Sequence, residues 1–259
     1  YDHVDISYLN SKGIAFASAP GSNANSVAEY VVSGLLAFEK NKGLELQGKK
    51  IGIVGVGNVG SRIAKKVVAL GLFPVLNDPP LAEKNNNHPL FEPFESILKC
   101  DIITFHVPLE KNPPYPTYHL ANEHFFNEIK PGTVLINSSR GSVVETSALL
   151  KAIEQGIVSH SIIDVWENEP NISIDLLKKV TIGTPHIAGY SFDGKVNGTY
   201  QLYIALCRSL NRAPSWDYRN NLPEPPIKEL QISPDDPNPL YTAVHQLYNI
   251  TSDDKALRE

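Results

Sequence analysis

Between Lys49 and His186 six short apolar runs recur, "KKIGIVGV", "FPVLND", "CDIITFHVP", "GTVLINSS", "SIIDVW" and "VTIGTP", with helical signals in the segments between them. The runs are rich in β-branched residues and apolar on both faces, as strands covered by helices on either side should be. Strand, helix, strand in repetition predicts an α/β fold: a doubly wound parallel sheet of Rossmann-like form. After Gly57, residues Val59, Ile63, Val67 and Leu70 recur at helical spacing and Gly71 closes the segment. Later, "TSALLKAIEQG" runs from a capping Thr146 to a terminating Gly156.

Outside that block the character changes. "NSVAEYVVSGLLAFEK" carries Val27, Tyr30, Val31, Gly34, Leu35 and Phe38 on one helical face, with Ser26 and Glu29 spaced as a capping box. A second long helix is expected after Tyr190 in "SFDGKVNGTYQLYIALCRSLNR", and "APSWDYRNNLPEPP" reads as a proline-rich boundary. Two long helices flanking the sheet block imply a second domain built from both sides of it. The expected organisation is residues 1–24 as part of that second α/β domain and 25–186 as the nucleotide-binding domain. Residues 187–212 then form a return helix, and 213–259 start a C-terminal unit. No methionine occurs, even at position 1, where a chain of 259 residues should hold several. The sequence therefore reads as part of a longer protein, or as one from which modified methionines are missing.

Charge narrows the partners. With 23 Lys and Arg against 28 Asp and Glu the chain has no basic field to gather phosphodiester backbones, so nucleic acid is not an expected partner. No apolar run approaches the roughly 18 residues that cross a bilayer, so a membrane is not expected either. The two cysteines, Cys100 and Cys207, are too few for a disulfide framework and show no metal-ligand spacing, which suits a reducing cytoplasm and no bound metal.

The stretch "GIVGVGNVGSR" contains G-x-G-x-x-G at Gly55, Gly57 and Gly60. That pattern is common, and its context decides its meaning. A strand precedes it, a helix follows, and the second strand ends on Asp78. In a dinucleotide fold the first glycine permits the tight turn, the second lets backbone approach the pyrophosphate, and the third lets helix pack on strand. A carboxylate ending the next strand accepts hydrogen bonds from both ribose hydroxyls of NAD and repels the 2′-phosphate of NADP. NAD is the expected cofactor.

Three further stretches stand where strands end, the edge at which open α/β sheets bind ligands. They are "INSSRGSVVE" with Arg140, "DVWENEP" with Glu169 and "GTPHIAGY" with His186. Each residue alone has a structural reading: a turn-binding arginine, a solvated loop acid, a satisfied buried histidine. Together they form a chemical set. A hydride leaves an alcohol carbon only if the hydroxyl proton leaves too, and histidine is the usual base. A neighbouring carboxylate favours the protonated imidazole and fixes its tautomer. An arginine can grip a carboxylate bidentately. His106, ending the third strand, is placed to contact the cofactor, and His3 to face the same cleft. His88, His119, His124, His160 and His245 read as surface or packing residues.

At this point the chain resembles the D-isomer-specific 2-hydroxyacid dehydrogenases. "PGSNANSVAEY", "GIVGVGNVG", "HVPL", "INSSRGSVV", "DVWENEP" and "TPHIAGY" occur in that family's order over most of the chain. The resemblance implies that Arg140, Glu169 and His186 are catalytic. It also implies cofactor contacts at Asn58, Val59, Asp78, Val107, Ser138, Ser139, Arg140, Asp164 and Gly189. The continuation "HIAGY…GK..GT" points to a branch acting on a small phosphorylated 2-hydroxy acid held by Arg140 and Tyr190. In that branch the flanking segments belong to a substrate-binding domain and the C-terminal unit dimerises, so a homodimer is expected. Two other readings stay open: a phosphoglycerate or hydroxypyruvate dehydrogenase using the same triad, and a noncatalytic NAD-sensing protein.

Overall fold

The computed structural model describes residues 4–84 and 90–259. Its sheet has six strands: β1 (Lys50–Val54), β2 (Phe73–Asn77), β3 (Ile102–Phe105), β4 (Thr133–Asn137), β5 (Val158–Ile163) and β6 (Ile182–Gly183). They lie in the order β2-β1-β3-β4-β5-β6, and every pairing is parallel. Beside β2 a bridge from Leu76 to Phe91 continues the sheet by one step.

Helices cover both faces. α1 (Ile6–Ser11) buries nothing, but α2 (Ala24–Lys42) and α3 (Gly60–Ala69) cover one face of the sheet. After α4 (Pro79–Lys84), the helices α5 (Phe94–Ile97), α6 (Glu123–Glu128), α7 (Thr146–Glu154) and α8 (Ile174–Lys179) supply the other face. Alternate strand residues feed the two cores: Ile51, Ile53, Ile102 and Ile136 join the first, Val54, Ile103, Phe105 and Leu135 the second. This period of two, buried on both sides, is why the strands read as continuous apolar runs.

Two helix starts differ from their sequence signals. α2 begins at Ala24, which puts Ser26 and Glu29 inside the helix, and its N-cap residue Asn23 makes no side-chain cap. Burial of Ala24, Val27 and Ala28 favours that longer helix. Ser26 Oγ instead pairs with Ser191 Oγ at 2.6 Å, and Glu29 accepts from Lys66 Nζ at 3.4 Å. Thr146 is the first helical residue of α7 rather than its cap, and its N–H is taken by Glu167 Oε2 at 2.7 Å. A carboxylate distant in sequence does the work expected of the local hydroxyl.

Beyond the sheet, α9 (Phe192–Ser209) starts under the Ser191 side chain, which accepts from Gly194 N at 3.0 Å. Then α10 (Pro239–Leu247) and α11 (Ile250–Arg258) turn back onto α2 and β6. Ile250 is fully buried in the first core, Asp254 Oδ1 accepts from Gly183 N at 2.7 Å, and Arg258 donates to the Leu177 and Val180 carbonyls at the end of α8. The closing residues are thus fastened to the edge of the sheet domain.

Candidate active site

The order of strands puts β2 on one side of β1 and β3 on the other, so the chain leaves β1 and β3 in opposite directions at a topological switch point. Ligands of such sheets bind in the crevice just beyond it. Gly55 follows β1 there and His106 follows β3. Gly55 has φ +89°, and a Cβ on it would stand 2.7 Å from the His106 carbonyl oxygen. At Gly60 a Cβ would meet the Gly55 carbonyl oxygen at 2.0 Å, so α3 can pack on the turn only without one. Gly57 differs: a Cβ there would meet nothing within 4 Å. The protein itself makes no use of that space, which is what an approaching pyrophosphate requires. The Asp78 carboxylate is pinned at the turn by Val56 N (2.8 Å) and Leu81 N (3.0 Å), each oxygen keeping a second acceptor site.

Two cavities meet at this point, of about 660 and 820 Å³, and His106, Val107 and Pro108 line both. Gly55, Gly57 and Asp78 line the first, with Phe94, Tyr115 and several prolines as its apolar walls. The second holds Asn58, Val59, Ser138, Ser139, Arg140, Asp164, His186, Gly189 and Tyr190. Together they offer a trough with an apolar slot at one end, a glycine turn in the middle and titratable groups at the other. An extended dinucleotide has those three parts in that order, so the residues present fit NAD. Gly60 and Glu169 line neither cavity and stand behind the turn and behind His186.

In the second cavity His186 Nδ1 donates to Glu169 Oε2 at 2.7 Å, while Glu169 Oε1 accepts the Trp166 N–H at 2.6 Å. His186 has φ +57°, the left-handed region, and is half-exposed to the cleft. Arg140 leaves the end of β4, where Asn137 shapes the turn: its Oδ1 accepts from Ser139 N and Oγ, and its Nδ2 donates to the Arg140 carbonyl. Arg140 Nη1 donates to the Ser139 carbonyl at 2.7 Å. Asp164 is almost fully buried, and burial pushes its carboxyl up; Thr184 and the N–H groups of Ile187 and Ala188 oppose that rise. His106 pairs with Thr104 Oγ1 at 2.7 Å, and burial pushes its imidazole down to about 3, so it is a neutral wall of both cavities. Gly189 is required by Asn23, whose Nδ2 would lie 2.2 Å from a Cβ there. Tyr190 is 72% exposed at the rim, with Lys195 Nζ 3.5 Å from its ring centroid.

The sequence reading missed a second histidine–glutamate pair. His119, taken as a surface or packing residue, bonds Glu167 Oε1 through Nε2 at 2.6 Å and lines neither cavity. Of the remaining histidines, His160 lies against Phe38, His245 stacks on Tyr241, and His124 is exposed. His3 and His88 lie outside the described residues. Among the described residues no group of His, Cys, Asp and Glu could hold a metal, and no helix is long and apolar enough to cross a membrane.

Gly turn, acidic strand end and a histidine–carboxylate pair across the switch point define a nucleotide-dependent dehydrogenase domain as the class. Residues 20–188 match the family model described as "D-isomer specific 2-hydroxyacid dehydrogenase, NAD binding domain", and the chain belongs to that family. It is 51% identical over 229 residues to the erythronate-4-phosphate dehydrogenase of Bacteroides fragilis, covering 88% of this chain and 65% of that one. To the enzyme of the same name from Proteus mirabilis it is 44% identical, covering 100% of this chain and 69% of that one. The chain thus spans about two thirds of the length of these curated relatives. Among solved structures it resembles the NAD-dependent formate dehydrogenase of Staphylococcus aureus in complex with NAD (TM-score 0.67, 26% identity, 84% of this chain and 71% of that one). It also resembles the D-lactate dehydrogenase of Aquifex aeolicus complexed with NAD and lactic acid (TM-score 0.67, 26% identity, 82% and 74%).

Proposed function

We propose that the protein oxidises 4-phospho-D-erythronate, a small phosphorylated 2-hydroxy acid, to the 2-oxo acid with NAD, a reaction of pyridoxal phosphate biosynthesis. The observation that carries this reading is His186, paired with Glu169 behind it, in the cleft that also holds Arg140 and opens onto the glycine turn. The erythronate-4-phosphate dehydrogenases named above support the choice of substrate.

NAD, when bound, supplies the hydride acceptor. Since the His186 Nδ1–H donates a hydrogen bond to the Glu169 carboxylate, Nε2 is left as the acceptor nitrogen, and it takes the C2 hydroxyl proton as the hydride leaves. Glu169 stabilises the imidazolium that forms. The Arg140 guanidinium pairs with the substrate carboxylate and holds C2 in reach. Tyr190 offers its hydroxyl to the phosphate end, with the Lys195 ammonium beside it. Asp78 holds the ribose and selects NAD over NADP. Asn58, Val59, Val107, Ser138, Ser139, Asp164 and Gly189 complete the cofactor contacts. The working form is a cytoplasmic homodimer, a reading supported by the family resemblance.

The test is NADH formation by full-length protein on 4-phospho-D-erythronate and 3-phosphoglycerate. We expect a clear preference for the former, weakened by Tyr190→Phe to the extent of one hydrogen bond, about 1 kcal/mol or roughly fivefold. Equal or better kcat/KM for 3-phosphoglycerate would move the protein to the neighbouring branch of the family. NAD binding with no turnover of any 2-hydroxy acid would favour the sensing role.

A further inference from the structure

His186 adopts the left-handed backbone region at φ +57°, which is uncommon for any residue with a side chain and is kept by the contacts around it. Three consecutive N–H groups end on one residue: His186 N donates to the Asp164 carbonyl (2.7 Å), Ile187 N to Oδ1 (2.8 Å) and Ala188 N to Oδ2 (2.9 Å). Asp164 is 1% exposed. A carboxylate so buried keeps its charge only if donors reach it, and with its charge lost it would surrender acceptor sites that those N–H groups use.

The donor that reaches it from the protein interior is Thr184, whose hydroxyl donates to Asp164 Oδ1 at 2.6 Å. Behind Thr184 stands Tyr30, with its hydroxyl 2.6 Å from Thr184 Oγ1; since Thr184 spends its proton on Asp164, Tyr30 is the donor of that bond. Tyr30 and Thr184 are 2% and 0% exposed. Phenylalanine and valine would fill the same volume without desolvating two hydroxyls, so packing alone does not account for them. Thr184 also accepts the Trp166 indole N–H on its carbonyl (2.9 Å), and the Trp166 N–H fixes Glu169. Tyr30 belongs to α2, whose Val27 also lines the cleft.

We infer that Tyr30 and Thr184 are positioning residues: the hydroxyl chain from Tyr30 through Thr184 to Asp164 holds the His186 backbone in the strained conformation that aims its ring into the cleft. This rests on the reading of His186 as the base. Neither hydroxyl touches substrate or cofactor, and both act through Asp164.

The variants are Thr184→Val, Thr184→Ser and Tyr30→Phe in full-length protein, with kcat and KM for the 2-hydroxy acid measured beside the NAD dissociation constant from fluorescence titration. Misaim of the base lowers kcat, so Thr184→Val should cost about 10- to 100-fold in kcat and Tyr30→Phe roughly threefold to tenfold, each with a clearly smaller loss of NAD affinity, since Asp164 also meets the cofactor. Thr184→Ser, which restores the donor, should recover most of kcat. The inference is overturned if Thr184→Val and Tyr30→Phe both keep kcat within about twofold of the parent, or if NAD affinity falls in step with kcat. Should Thr184→Val fail to fold, Tyr30→Phe decides by the same criteria. His186→Asn separates the two levels. A dead His186→Asn beside normal Thr184→Val and Tyr30→Phe sinks this inference alone, whereas an active His186→Asn sinks the reading of the base.

Discussion

Glu167 and Glu169 stand on either side of Asn168 in the loop after β5, and each carboxylate bonds a histidine, Glu169 to His186 Nδ1 at 2.7 Å and Glu167 to His119 Nε2 at 2.6 Å. The chemistry of the two pairs is the same and their surroundings are not. In the first pair the side chains are 49% and 32% exposed, and the histidine lines the 820 Å³ cleft opposite the glycine turn. In the second they are 27% and 15% exposed, the His119 ring stacks on Tyr118, and the other Glu167 oxygen takes the Thr146 N–H at the start of α7. One pair leaves a ring nitrogen to a ligand. The other spends its contacts joining the loop before α6, the loop after β5 and the start of α7. A histidine–carboxylate pair is therefore no catalytic signature by itself; what decides is the space that its remaining nitrogen faces.

The largest expected effect tests that contrast directly. His186→Asn should lower kcat by roughly 10²- to 10⁴-fold, the usual loss with a general base, while NAD binding by calorimetry stays nearly intact. His119→Asn should leave kcat within about threefold, since nothing it touches reaches the cleft. If the two variants lost activity alike, the contrast between the pairs would collapse. Next in size is Glu169→Gln. Its amide oxygen can still accept the Nδ1 proton but brings no charge to the imidazolium, so kcat should fall by about tenfold, less than for the histidine itself. A loss as large as that of His186→Asn would mean that Glu169 does more than orient and stabilise the ring.

The glycine turn was open to reading because its causes are local. Gly55, Gly57 and Gly60 stand within six residues, and each is explained by backbone it touches or leaves free. The sheet was legible for a similar reason, since strands buried on both faces cannot hide their composition. Arg140, Glu169 and His186 could be listed as a chemical set at strand ends, though only resemblance gave each a role. The supports behind them were not visible. Tyr30 and Thr184 are 154 positions apart and His119 and Glu167 are 48 apart, and such pairings are decided by how loops cross. Nor does a left-handed histidine leave a mark in its own sequence. Helix starts failed for a related reason: the Thr146 N–H found its acceptor in Glu167, and no local motif records a cap supplied from another loop.

The smallest effect concerns the second pair, and its readout is stability. Removing one partner of a charge-assisted, largely buried bond costs about 1–3 kcal/mol, so Glu167→Gln should lower Tm by several degrees at pH 7 with kcat near the parent's. Its pH dependence follows from the carboxyl itself. Burial pushes Glu167 up, but the hydrogen bonds from His119 and Thr146 outweigh it and hold the group below the usual carboxylate range. A carboxyl with a depressed folded pKa contributes stability that is full above its unfolded value, near ~4.3, and is lost as pH falls through the folded one. The Tm gap between parent and Glu167→Gln should therefore be widest near neutrality and narrow as melts are taken to acid, where the parent's own carboxyl gains a proton. A gap that persisted undiminished into acid would show that the amide fails for its shape and not for its missing charge. A variant as stable as the parent at pH 7 would remove the pair from the fold's supports, leaving Glu167 and Glu169 distinguished by activity alone.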